Sequence, residues 1–269
     1  MKKILLASLL AMTAQFAAAE TKPVTIDPEF AKIEAMVKAK DMKGAHQALS
    51  KLAATGNAQA IYNLGYLTQT GQGAAKDEKK AIQLYEQAAA KGYPVANYVL
   101  GKNYVTGTLG LKQDIAKAKQ YLERASSAGF DDATIDYAVL LFSENKPASD
   151  KLALSKLDPL IKKGNYPAIH AKALYDISTG FKAKNEKPIQ QGLNSIQDLA
   201  KKGYIPALMA VGNMFANGNI IPQNLTEAKK IFSALAQENV PQAKESLATV
   251  DKLIAEQAKA PKAASAKKS

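Results

Sequence analysis

Residues 57–92, NAQAIYNLGYLTQTGQGAAKDEKKAIQLYEQAAAKG, decide the fold. Ala60, Leu64, Leu67 and Thr68 fall at i, i+4, i+7 and i+8, which gathers them on one face and predicts a helix over 58–70. Gly65 sits inside that helix, where glycine costs about 1 kcal/mol against alanine. A residue kept there at a cost points to close approach of a neighbouring backbone. Gly71 and Gly73 end the helix, because glycine takes the left-handed conformation without a Cβ clash. Asp77 is placed to accept from the free N–H groups of a second helix over 78–91. Ala81, Leu84, Tyr85, Ala88 and Ala89 form its apolar stripe, and Gly92 closes it.

The closing residue recurs at Gly56, Gly92, Gly129, Gly164 and Gly203, with Asn239 in the sixth place, at steps of 35 to 39 residues. Asparagine is the natural substitute, since it also visits the left-handed region at low cost. Alanine follows four residues later each time: Ala60, Ala96, Ala133, Ala168, Ala207 and Ala243. Five further on lies a small residue: Gly65, Gly101, Ala138, Ala173 and Gly212. Eleven before the closing position lies another: Ala45, Ala81, Ala118, Ala153, Gly192 and Ala228. The caps read Asp41, Asp77, Asp114, Ser149, Pro188 and Asn224. Agreement of several registers at one period predicts an array of helical hairpins.

On these residues the chain resembles a Sel1-like repeat protein, a relative of the tetratricopeptide solenoids. The match is tightest through Ala60, Leu64-Gly65, Gly71, Gly73, Asp77, Ala81, Tyr85, Ala88-Ala89 and Gly92. It continues through Ala96, Leu100-Gly101, Tyr104, Gly107, Asp114, Ala118, Tyr121 and Gly129. A later copy keeps Ala207, Gly212, Phe215, Gly218, Ala228, Phe232 and Ala236. The copies over 133–203 depart: they lose the loop glycines, carry Pro159 within a second helix, and lengthen the loop between Asp176 and Pro188. The resemblance implies an all-α fold, a right-handed α-solenoid of about six helix-turn-helix repeats, over residues 20–259. Family members with a cysteine pair in each repeat are linked to penicillin binding. With no cysteine in this chain, that activity is not carried over.

Residues 1–19, with Lys2-Lys3, an apolar run over 4–10 and Ala17-Ala18-Ala19 before Glu20, read as a secretory signal peptide cleaved near Ala19. The expected location is the periplasm, with full secretion as the alternative. The first helix is expected over 29–40 with Phe30, Ile33 and Val37 inward, and a capping helix over 242–258 with Leu247, Val250 and Ile254 inward. Residues 260–269 read as a basic disordered tail. A formal net charge of +12 favours polyanions. Outside the cytoplasm these are anionic envelope surfaces, met through the basic tail, and not nucleic acid.

Residues that carry chemistry are sparse. His46 and His170 are the only two histidines and fall in different repeats. Asp131-Asp132 precedes a helix, where acids complement the N-terminal dipole. Gly71-Gln72-Gly73 lacks a preceding strand and the rest of a phosphate-loop fingerprint. The reading is therefore non-enzymatic: no catalytic residue, no metal site, no cofactor. Binding is the better expectation, with another protein held in the concave groove lined by the first helix of each pair. One row along those helices is Tyr62, Tyr98, Ile135, His170 and Met209; a second is Tyr66, Lys102, Val139, Leu174 and Asn213. Tyr62, Tyr66, Tyr98, Lys102, Asn63 and Asn213 are the candidate partner-binding residues. A periplasmic adaptor leads, an immunity or inhibitor protein neutralising a toxic effector is the alternative, and a cell-wall-acting enzyme is more distant. Pro159 and Gly192 further predict flexing between residues 145 and 195.

Overall fold

A computed structural model describes residues 28–259. The described residues form thirteen helices and no strand. In chain order they are α1 (Pro28–Lys38), α2 (Met42–Ala54), α3 (Ala58–Thr70), α4 (Glu78–Ala90), α5 (Pro94–Thr106) and α6 (Ile115–Ser127). There follow α7 (Asp131–Ser143), α8 (Pro147–Lys162), α9 (Tyr166–Ala183), α10 (Glu186–Lys201), α11 (Ile205–Asn217), α12 (Leu225–Gln237) and α13 (Ala243–Lys259). Six successive pairs and a final helix make an all-α repeat fold. The expected signal peptide, the extended run before Pro28 and the basic tail lie outside the described residues. The described residues divide into two compact units, with the boundary inside α8 between Lys156 and Leu157.

Local chemistry sets the helix ends. Asp41, Asp77 and Asp114 accept from the backbone N–H groups of Gly44, Lys80 and Lys117 at 2.8–2.9 Å. Asn224 does the same for Glu227 at 3.1 Å. Each such cap stabilises its helix by about 1 kcal/mol. The closing residues adopt left-handed backbone as the spacing predicts: φ is +88° at Gly56, +80° at Gly92 and +57° at Asn239.

Small residues form the seams within the pairs. Ala45, Ala81, Ala118, Ala153 and Ala228 are fully buried. A Cβ on Gly65 would lie 2.9 Å from the Tyr85 ring, and one on Gly101 would lie 2.7 Å from Leu122 Cγ. In the first unit the resulting core runs through Leu49, Leu67, Tyr85, Val95 and Leu100. The second unit holds one cluster around Ile177, Ile196 and Leu199, and another around Phe232, Leu235 and Val250. Burying each Leu, Ile or Phe contributes roughly 1.5–3 kcal/mol.

The divergent copies differ from the sequence expectation. The long loop expected between Asp176 and Pro188 is mostly helix: α9 continues to Ala183 and α10 starts at Glu186. Gly180 allows this, because a Cβ there would sit 2.9 Å from the Asn185 carbonyl oxygen and 2.8 Å from Ile189 Cγ1. Pro188 is not the cap. It occupies the first turn of α10, where no intrahelical N–H bond is lost, and Asn185 caps instead by accepting from Lys187 N–H. Ser149 is not a cap either; it lies within α8, and its hydroxyl donates to Glu144 at 2.6 Å. Gly192 serves a tight seam, since a Cβ there would meet the Ala173 carbonyl oxygen at 2.5 Å. The outer helices fall within one or two residues of expectation, α1 ending at Lys38 and α13 running from Ala243 to Lys259.

Candidate functional site

The two rows along the first helices have different fates. Tyr62 is only 7% exposed, its ring 5.3 Å from those of Tyr85 and Tyr93. Ile135 is buried as well. Tyr62 therefore belongs to the core, which corrects its reading as a contact residue: the aromatic fills a seam between consecutive pairs. Asn63 is half-buried on the same helix. In the second row Tyr66 packs its half-buried ring against the first unit's core. Val139 is 47% exposed in that unit.

Tyr98 and Lys102 form a cluster with α7. The Lys102 ammonium lies 2.9 Å from Asp136 Oδ2 and 5.9 Å from the centre of the Tyr98 ring, which packs 4.9 Å from Phe130. Burial raises the Tyr98 hydroxyl's pKa, and the charges of Asp136 and Asp132 raise it further. Asp132 is held above the usual carboxylate range, first by burial and then by Asp136 and Asp131, with Lys102 opposing. These groups link α5 to α7, and the Lys102 side chain stays about half exposed. The pair is half-exposed, and such pairs contribute about 0–1 kcal/mol.

An open apolar surface lies in the second unit. A groove of about 680 Å³ runs beside α11. Its floor includes Leu174 from α9, Ile205 and Met209 from α11, and Ile220 from the following turn. Leu174, Ile205 and Ile220 are 42%, 40% and 37% exposed. Asn213 and Asn217, one helical turn apart on α11, join Asn219 and Gln242 in bringing amide groups to it. Gln242 holds φ +68°, an uncommon conformation for a residue with a Cβ. Asn213 is exposed in the groove. The groove also brings in Asn217, Ile205 and Ile220, which were not among the sequence candidates. The available signal was the i, i+4 asparagine pair Asn213 and Asn217 on α11.

His170 lies on α9, one turn before Leu174. Its half-buried ring stands edge-on to Tyr204 at 5.6 Å. Burial holds its pKa below the ordinary imidazole value, with the Pro206 backbone opposing. In the unfolded chain the imidazole titrates near 6.5. Between that value and the lower folded one, the unfolded state binds more protons, so stability falls as pH falls through this window and levels off below it. The midpoint of thermal unfolding should be higher at pH 7.5 than at pH 5.5, and His170→Gln should shrink the difference. An unchanged difference in that variant would count against this account. His46, whose pKa is also lowered by burial and by Lys80, contributes in the same direction.

Among the described residues no group of three His, Cys, Asp or Glu gathers as a metal site would require, and no helix is long and apolar enough to cross a membrane.

The family model for the Sel1 repeat matches residues 58–93, 94–130 and 205–240, so the chain carries three Sel1 repeats, spanning α3/α4, α5/α6 and α11/α12. The intervening pairs fall outside the matches, consistent with their lost loop glycines and longer helices. Among solved structures, a Sel1 repeat protein from Oxalobacter formigenes is 22% identical, with 85% of this chain and 90% of that one covered and a TM-score of 0.64. A protective antigen of uropathogenic Escherichia coli with the same kind of repeat fold is 20% identical, with a TM-score of 0.58. The match covers 78% of this chain but only 44% of the antigen's length. An immunity protein from Pseudomonas aeruginosa, 19% identical with 88% of this chain and 83% of that one covered, superposes at a TM-score of 0.42, too loosely to bear on function. No curated protein matches.

Proposed function

We propose that this Sel1 repeat protein is a non-enzymatic adaptor of the periplasm that holds another protein on the exposed faces of its first helices. Sel1 repeats generally mediate protein–protein interaction. The observation that supports the reading here is the groove beside α11, where three large apolar side chains stay more than a third exposed. Apolar side chains gathered at the surface offer a partner area that is removed from water on binding. Export follows from the signal-peptide reading of residues 1–19 and adds the compartment.

The test has two parts. Cell fractionation should place the full-length chain in the periplasm and a chain lacking residues 2–19 in the cytoplasm. The mature chain, immobilised and exposed to envelope extract, should retain a protein that the double variant Leu174→Asp/Ile205→Asp releases, with helix content unchanged by circular dichroism. Retention by both proteins alike would move the contact elsewhere, and retention by neither would end the adaptor reading. Recovery of a single toxic effector would recast the role as inhibition.

A further inference from the structure

We propose that one edge of the second unit, where Phe181 and Ile220 project among lysines, seats the protein on a bilayer surface of anionic phospholipid.

Topology gathers these residues. Helices α9 to α13 are joined by turns of two to seven residues, and each packs on the next. Short turns between packed neighbours make them antiparallel, so α9, α11 and α13 all end at the same edge. Ile221, in the α11/α12 turn, packs against the cluster around Ile177 and Ile196 from α9 and α10. Gln257, near the end of α13, donates to Gln223 of the same turn at 3.0 Å. The α11/α12 turn thus lies between the α9/α10 pair and the end of α13.

Exposure and charge point the same way. Residues 181–187 are all exposed, and Phe181, at 58%, is the most exposed large apolar side chain among the described residues. Ile220 is 37% exposed in the next turn. Residues 181–187, 218–224 and 257–269 together carry seven lysines and a single acid, Glu186. Lys184 and Lys187 enter no ion pair among the described residues.

An anionic bilayer matches this pattern. Apolar tips pass below the headgroups without needing a shaped pocket, while lysine stems lie along apolar surface and keep their ammonium groups at headgroup level. Each lysine near such a surface strengthens binding about fivefold. A folded protein partner would need a concave counterpart to two tips on separate turns. A free polyanion would leave Phe181 in water.

The chain contains no tryptophan, so Phe181→Trp places a single fluorescent reporter at the tip. The chain from Glu20 onward, which keeps every described residue and omits the apolar run at 4–10, is mixed with phosphatidylcholine vesicles containing one third phosphatidylglycerol, and with phosphatidylcholine alone. On the anionic vesicles only, the reporter's emission should shift to the blue and become shielded from acrylamide. In co-sedimentation without the reporter, Phe181→Ser should weaken binding about fivefold or more. Lys184→Gln/Lys187→Gln should weaken it about tenfold or more, with helix content unchanged in both variants. Val139→Ser, at an exposed apolar residue of the first unit, should bind as the unaltered chain does. Equal binding to neutral vesicles, no binding at all, or sedimentation with a reporter that still emits as in water would overturn the proposal. So would binding undiminished by Phe181→Ser, the mark of a contact by charge alone such as a polyanion or an acidic protein makes. Binding lost only on deleting residues 260–269 would place the contact in the tail and overturn it equally. None of the substituted residues lines the groove beside α11, so these outcomes leave the adaptor reading where it stands.

Discussion

Replacing Gly73 with alanine is expected to destabilise the first unit by about 2–5 kcal/mol, while the same change at Gly92 costs about 1–2 kcal/mol. Both residues sit at nearly the same left-handed φ, +78° and +80°. The backbone penalty for adding a Cβ is therefore shared. The surroundings differ. A Cβ on Gly73 would fall 2.0 Å from the Met42 carbonyl oxygen and 2.9 Å from His46 Cβ, whereas a Cβ on Gly92 meets nothing within 4 Å. The obstructing oxygen belongs to the first turn of α2, so it cannot swing aside as a side-chain tip would. Denaturant unfolding followed by circular dichroism, with the two variants side by side, reads the gap directly. Equal losses at the two sites would show that the turn of α3/α4 is not wedged against α2.

The second large effect sits in the seam of α11/α12. Phe232 is fully buried, and a Cβ on Gly212 would lie 2.7 Å from ring atoms Cε1 and Cζ. Phe232→Ala should cost about 3–5 kcal/mol through lost burial and the cavity left behind. Gly212→Ala gains about 1 kcal/mol of helix propensity but overpacks a ring with nowhere to go, at about 1–3 kcal/mol, so the clash wins. Combining Gly212→Ala with Phe232→Leu should cost less than the sum of the single changes, by about 1–2 kcal/mol, because the added methyl enters space the ring has left. A double-mutant cycle by denaturant titration measures this, and strict additivity would mean the two residues do not share that space.

The same pairs explain why the architecture was legible in the sequence and the exposed groove beside α11 largely was not. Gly65, Gly101 and Gly212 announce themselves because a glycine inside a helix has an energetic cost and recurs at a fixed place. The closing positions announce themselves through left-handed backbone, which only glycine and asparagine take readily. These are local constraints, written residue by residue. Exposure is set by neighbours distant in sequence. Tyr62 and Tyr66 are both tyrosines one helical turn apart, yet Tyr85 and Tyr93 enclose the first while the second stays half-buried. Ile205 and Ile220 are core residues by type, yet they stand 40% and 37% exposed. The second-helix caps at Ser149 and Pro188 were misplaced for a related reason. In a longer pair the start of the helix shifts while the period stays nearly constant, so counting back from the closing glycine lands inside the helix.

The uncrowded left-handed glycines have an evolutionary corollary. Gly92 and Gly129 end consecutive repeats with φ of +80° and +81°, and neither has an atom within 4 Å of where a Cβ would stand. The segment between them is a cassette with matching joints at both ends. Gene duplication can splice another copy in at either joint without inventing a new connection, so length is the trait that lineages carrying this protein can vary most cheaply.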